Sequence, residues 1–311
     1  MSERLFLGVD GGGTKTRFVL TRSGGAVVAE ALRGSCYHPQ IGLEGLREVL
    51  ASGVSEVAGA AGVRAEDIAS AFFGIPGYGE DSAATGAIET LPAAILGHGR
   101  YACDNDMVCG WAGSFACADG INVVAGTGSI GYGRRGERAA RAGGWGELFS
   151  DEGSAYWVAL HGLNAFSRMS DGRLPRGPLY ARVQQAFDLS SDLDLCARTL
   201  GEAAISRDAL AQHARLVVES ARDGDDAALD ILARAGRELA GIADAVRIAL
   251  GFPDGVPVPV SWSGGCFNAG DALLAPFKAA LHAACPAFAP QSPLHPPHVG
   301  AALLAEKLER R

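Results

Sequence analysis

Leu5-Phe6-Leu7-Gly8-Val9-Asp10-Gly11-Gly12-Gly13-Thr14-Lys15-Thr16 is the stretch that decides the fold class. Leu5 to Val9 is a short apolar run of the buried-strand kind, and an acid, three glycines and two threonines follow it directly. Glycine lets a backbone approach a ligand closely, and successive amides can form a nest for an anion. An acid placed just before them can hold Mg²⁺ through water without touching phosphate itself. A plain hairpin has no use for this combination. A Walker A loop is excluded, because its Lys follows the last Gly directly and here Thr14 separates Gly13 from Lys15. A dinucleotide fingerprint is excluded as well, since Arg17-Phe18-Val19-Leu20 continues as a strand and not as a helix.

Outward from this turn, Ala26 to Ala29 reads as a third strand, split from the second at Ser23-Gly24-Gly25, a hairpin signal. Apolar residues at 43, 46, 50, 54, 57 and 58 keep helical spacing from Leu43 to Ala61. Ala71 to Ile75 is a strand ending at Pro76-Gly77. Asp81 caps a second helix, and a fifth strand from Tyr101 ends at Asn105-Asp106. Strands in hairpin order followed by helix–strand units specify a mixed sheet covered by helices. The pattern then restarts near Asp119. Ile121 to Ala125 breaks at Gly126-Thr127-Gly128-Ser129 and resumes as Ile130-Gly131-Tyr132-Gly133-Arg134, which indicates an internal duplication. Helices dominate from Asp151 to Leu250, a last strand (Val258 to Ser263) stops at Gly264-Gly265, and an amphipathic helix runs from Val299 to Leu308. Two α/β lobes are expected, 1–118 and 119–311, facing one another across a cleft, with the last helix packing back on the first lobe.

Composition narrows the function classes. The chain has 311 residues, 48% hydrophobic and 20% charged, enough for two domains with cores of their own. A net charge of −8 leaves no attraction to phosphate backbones or anionic membranes, so neither nucleic acid nor membrane is an expected partner. No run of about 18 apolar residues exists, and Met1 to Arg4 lead into a strand and not a signal peptide, so a cytoplasmic location is expected. Seven cysteines, an odd number without a C-x-x-C pair, read as buried reduced thiols.

Four further stretches carry chemistry. Gly126 to Gly131 matches G-x-G-x-x-G, but a strand follows, which makes it a second phosphate-facing hairpin with the Thr127 and Ser129 hydroxyls available. Asp106, at a strand end, either caps a helix over Met107 to Phe115 or accepts a proton from a substrate hydroxyl, and the second reading is preferred. Gly143-Gly144-Trp145-Gly146-Glu147 and Ser150-Asp151-Glu152-Gly153 join acids to an exposed-prone Trp and glycine backbone, which suits a sugar. Gly264-Gly265 leaves room for a flat ring. His295 and His298 sit in a Pro-rich turn and read as a surface loop, not a metal site.

Asp-Gly-Gly-Gly-Thr, Gly-Thr-Gly-Ser and a late Ser-Gly-Gly, in that order, resemble the two-lobed ATPase superfamily of actin, heat-shock chaperones and sugar kinases. Gly143-Gly144-Trp145-Gly146 with Asp151-Glu152-Gly153-Ser154-Ala155-Tyr156-Trp157 is similar to the N-acetylglucosamine kinase family, over most of the chain. The resemblance implies two ribonuclease-H-like lobes with the site in the cleft between them, and transfer of the ATP γ-phosphoryl group to the 6-hydroxyl of an amino sugar. Asp10 would organise Mg²⁺. Gly11, Gly12, Gly13, Thr14 and Lys15, with Gly126, Thr127, Gly128 and Ser129, would meet the phosphates. Gly264 and Gly265 would flank adenosine, Asp106 would be the base, and Asp151 and Glu152 would hold sugar hydroxyls. Family members that hold an N-acetyl group use an Asn where this chain has Tyr37, beside His38, so free glucosamine or another hexosamine is an alternative substrate. An ATP-driven activator of an iron–sulfur reductase shares the opening motif but needs cluster-binding cysteines. A regulatory sugar sensor needs a zinc loop and a DNA-binding helix pair. A homodimer is expected.

Overall fold

The computed structural model describes residues 4–200, 204–253 and 255–310. Its first sheet contains β1 (Phe6–Asp10), β2 (Thr16–Thr21), β3 (Val27–Arg33), β4 (Ser70–Gly74) and β5 (Tyr101–Asp104), in the order β3-β2-β1-β4-β5. β1 runs antiparallel to β2 and parallel to β4, which is parallel to β5. Leu7, Val9, Phe18, Leu20 and Phe73 are fully buried in one cluster with Leu46, Leu50, Val54 and Val57 of α1 (His38–Ala60). Gly42, left-handed at φ 72°, separates the first turn of α1 from the regular helix, whose apolar spacing accordingly starts at Leu43. α2 (Ser82–Leu96), capped by Asp81 as expected, and α3 (Met107–Phe115) complete the run.

The C-terminal helix Pro297–Glu309 covers the other face of this sheet, against β1, β4 and α3. Contact there is backbone to backbone: a Cβ on Gly300 would lie 2.7 Å from Gly113 Cα. His298 corrects the surface-loop expectation. It is buried in this helix, with Nε2 3.1 Å from Glu30 Oε1, because Pro297 starts a helix and does not prolong the turn.

The second sheet holds β6 (Gly120–Ala125), β7 (Ser129–Arg135), β8 (Arg138–Gly143), β9 (Val258–Ser263) and β10 (Phe288–Pro290), in the order β10-β9-β6-β7-β8. Matched in chain order this is the strand order of the first sheet, so the duplication read from the two glycine turns extends to all five strands. β8 and β10 were not anticipated. Arg138-Ala139-Ala140-Arg141-Ala142-Gly143 contains no β-branched or aromatic residue, and β10 is three residues long.

Helices follow β8: α4 (Ala155–Ser170), α5 (Pro178–Ala186), α6 (Asp194–Thr199), α7 (Arg207–Gln212), α8 (Ala214–Arg222), the 25-residue α9 (Asp226–Leu250) and, after β9, α10 (Asp271–Ala284). The chain forms two compact units. One runs to Asn122 and takes in Arg134–Gly136 and the segment from Gln291, and the other comprises Val123–Gly133 and Glu137–Pro290. Among the described residues no helix is long and apolar enough to cross a membrane.

Candidate active site

In the first unit the parallel register sets Asp10 opposite Gly74 and Gly74 opposite Asp104 at one end of the sheet. Gly11 N–H donates to Gly74 O (2.9 Å) and Ile75 N–H to Asp104 O (2.9 Å), which ties the three strand ends together. A Cβ on Gly11 would come within 2.7 Å of Gly74 O and of Pro76 Cδ. None of Gly11, Gly12 and Gly13 has a left-handed φ. This corrects the expected nest: the glycine requirement at Gly11 is steric, while Gly13, Thr14 and Lys15 are exposed. Thr16 is buried and donates its hydroxyl to Gly34 O (2.8 Å), a purely structural task.

Asp106 flanks α3 without capping it. The buried Asn105 accepts the Met107 N–H on Oδ1 (3.2 Å) and donates from Nδ2 to Tyr78 O (3.3 Å). With the capping task moved to its neighbour, the Asp106 carboxylate is left for other chemistry. Burial first, then the negative charge of Glu80, push its pKa up to about 7. Burial and the Asp106 charge push Asp10 to about 8. Asp104 is raised by burial, against the pull of an Asn105 N–H bond of 2.8 Å.

Tyr37 and His38, at the start of α1, meet edge to face with ring centroids 6.2 Å apart and pack on Gly77. A Cβ on Gly77 would be 3.0 Å from Tyr37 Cε2 and 3.4 Å from His38 Cε1. His38 Nδ1 is buried without a hydrogen-bond partner. The adjoining Cys36 thiol is pushed up to about 12 by burial and is inert.

In the second unit the Gly126–Ser129 turn docks on the start of α4. Ala155 N–H donates to Gly126 O (2.9 Å) and Tyr156 N–H to Thr127 O (3.3 Å). Ser129 Oγ donates to Glu152 O (2.7 Å), so this hydroxyl, expected to face phosphate, is taken up by the protein. Ser129 N–H donates to Asp151 Oδ1 (3.2 Å). Among the described residues, the amides of Thr127 and Gly128 and the Thr127 hydroxyl keep no protein partner, which leaves three donors for an anion.

Asp151 is 2% exposed and left-handed at φ 61°. Its second oxygen pairs with Arg207 Nη2 at 2.5 Å, so both oxygens are committed inside the unit. Glu152 is half-buried and accepts from Ser150 Oγ (3.0 Å). Gly143, Gly144 and Gly146 are all left-handed, and the loop they shape holds Trp145 72% exposed, with Leu148 and Phe149 also exposed. Gly264, at φ 99°, could not carry a side chain, since a Cβ would fall 2.6 Å from Ala125 C, whereas Gly265 opens onto free space. All seven cysteines are free, and Cys196 alone among them is exposed.

Asn105, Glu80 and Arg207 were missed in the sequence, and Glu147, though part of the Gly143–Glu147 stretch, had no role of its own there. Asn105 had a signal, its place inside Asp104-Asn105-Asp106. Arg207 had none, because its partners lie 56 and 60 residues away.

Among the described residues no group of three or more His, Cys, Asp or Glu side chains is placed to hold a metal ion. Asp10, Asp104 and Asp106 lie at one sheet end, each with its pKa raised chiefly by burial, Asp10 also by the Asp106 charge and Asp106 by that of Glu80.

The chain is similar to several known proteins. An N-acetylmuramic acid/N-acetylglucosamine kinase of Clostridium acetobutylicum is 30% identical over 236 residues, 75% of this chain and 76% of its own. An N-acetyl-D-glucosamine kinase of Dictyostelium discoideum is 26% identical over 276 residues, 85% and 86% of the two chains. A crystal structure from Chromobacterium violaceum, provisionally assigned as an N-acetylglucosamine kinase, superposes with a TM-score of 0.80 at 27% identity, over 98% of this chain and 100% of that one. The architecture is that of the actin-like ATPases and sugar kinases. By its match to the family model over residues 7–305, the chain belongs to the BadF/BadG/BcrA/BcrD ATPase family.

Proposed function

We propose that the protein is an ATP-dependent kinase, acting in the cytoplasm, that phosphorylates the 6-hydroxyl of N-acetylglucosamine. The observation that carries this reading is Asp106: a carboxylate freed from capping, at the end of a parallel strand, beside Asp10 and Asp104. With its pKa near 7, Asp106 takes up the proton of an attacking hydroxyl close to neutral pH, where a base is most effective. Phosphoryl transfer needs positioning, charge neutralisation and one base, and no covalent intermediate. The exposed turn after Asp10 and the unpaired donors of Thr127 and Gly128 orient phosphate oxygens, and the open backbone at Gly265 accepts the adenine ring. Mg²⁺, held by Asp10, would neutralise charge on the transferring group. Trp145 offers an apolar platform to the sugar face, Glu152 meets hydroxyls, and Tyr37 and His38 border the amino substituent. Two kinase relatives at 30% and 26% identity support the reading. Tyr37, in place of the family's amide-holding Asn, favours free glucosamine as the second reading.

ADP release from Mg-ATP, with N-acetylglucosamine, glucosamine, N-acetylmannosamine and glucose offered separately, tests it. Strong stimulation by one amino sugar establishes the kinase and selects the substrate. Turnover indifferent to every sugar refutes the proposal.

A further inference from the structure

We infer that Arg207 is a positioning residue for this reaction: by holding Asp151 it keeps the Gly126–Ser129 turn in its phosphate-binding shape and joins that turn to the Trp145 loop. The inference rests on the kinase reading for its chemistry and on four observations for its geometry. Arg207 is the first residue of α7, fixed by its cap Ser206, whose Oγ accepts the Ala209 N–H (3.3 Å). Its Nη2 pairs with Asp151 Oδ2, and its Nε lies 3.3 Å from Glu147 Oε2, two residues past Trp145, in a charge contact without hydrogen-bond geometry. The pair sits directly under the turn, since a Cβ on Gly128 would fall 2.5 Å from Arg207 Nη2 and 2.8 Å from Asp151 Oδ1. Asp151 itself is left-handed at φ 61°, a conformation that the short polar side chain of Asp adopts more readily than most residues.

An exposed ion pair would contribute almost nothing, but Asp151 is buried, and losing its partner leaves an uncompensated charge. The carboxylate then loses the contact that fixes its second oxygen, its grip on the Ser129 amide weakens, and the donors of Thr127 and Gly128 lose their alignment. Arg207 touches neither substrate; it acts through Asp151 on one and through Glu147 on the other.

The test compares Arg207→Met, Arg207→Lys, Asp151→Asn and the Met/Asn double variant by steady-state ADP release and by direct titration with Mg-ATP. Losing one charged hydrogen bond to a buried group corresponds to about a 5- to 150-fold effect. Arg207→Met should raise the KM and Kd for ATP at least about tenfold within that range, with kcat changed far less. Arg207→Lys should recover most of the loss, and the double variant should be no worse than Arg207→Met, because both changes break one contact. An ATP KM within about twofold of wild type in Arg207→Met, or losses that multiply in the double variant, overturns the inference. Should Arg207→Met fail to fold, Asp151→Asn decides alone, since it keeps the acceptor for Ser129 N–H and removes only the charge pair. A wild type that binds Mg-ATP but ignores every sugar sinks the kinase reading, while the Kd ratio still judges Arg207. A wild type that does not bind Mg-ATP sinks both.

Discussion

Asp106→Asn should abolish catalysis and stabilise the unliganded protein in the same step. In the folded state the carboxyl titrates near 7 instead of 3.8, because burial and Glu80 oppose its charge. A raised carboxyl pKa means that stability is fully present below 3.8 and is lost as the pH rises through 7. Roughly three pH units at 1.36 kcal/mol each set an upper bound of about 4 kcal/mol at pH 8. Asp106 keeps partial access to water, which reduces the cost to the order of 2 kcal/mol. At pH 5 only about a third of that cost has developed. Asparagine has no charge to bury, so the variant should melt several degrees higher than wild type at pH 8, at about 2–4 °C per kcal/mol for a domain of this size, and by clearly less at pH 5. Sugar-dependent ADP release should fall by about 10²–10⁴-fold with ATP binding nearly unchanged, since the base is removed and the phosphate-facing amides are not. Thermal melts at both pH values, paired with turnover and Mg-ATP titration, make the assay. Near-wild-type turnover would withdraw the base from Asp106 and pass it to Asp104, and a stability gain no larger at pH 8 than at pH 5 would refute the electrostatic argument.

Glu80→Gln removes the second-largest influence raising Asp106, so the acid limb of kcat/KM should move to lower pH than in wild type; a limb that stays in place excludes Glu80 as the cause. Lys15 is exposed and separated from the glycines by Thr14, so Lys15→Ala should change kcat/KM by less than about threefold, whereas a loss of orders of magnitude would give it the role of a P-loop lysine. Trp145→Ala should leave the melting temperature within about 1–2 °C, because surface changes away from packed features stay within about 0.5 kcal/mol, while raising the sugar KM roughly tenfold through the lost stacking face; unchanged sugar kinetics would remove Trp145 from the site.

By itself the sequence determined the local chemistry. Apolar runs and glycine turns marked β1, β4, β6 and β9, helical spacing marked α1 from Leu43, and the two turns at Asp10 and Gly126 announced both the duplication and the phosphate-binding class. Such signals are legible because strand pleat, helix pitch and glycine turns act over a few residues. Weak propensity hid β8, and a proline helix start hid the burial of His298. Tertiary structure alone decided which groups meet. The parallel register set Asp10, Gly74 and Asp104 side by side, and Asn105 took over the cap so that Asp106 was released. Folding also buried Asp151 and paired it with Arg207 across 56 residues of chain. No local periodicity records a partner so distant, because burial and charge pairing are properties of the packed chain and not of neighbouring residues.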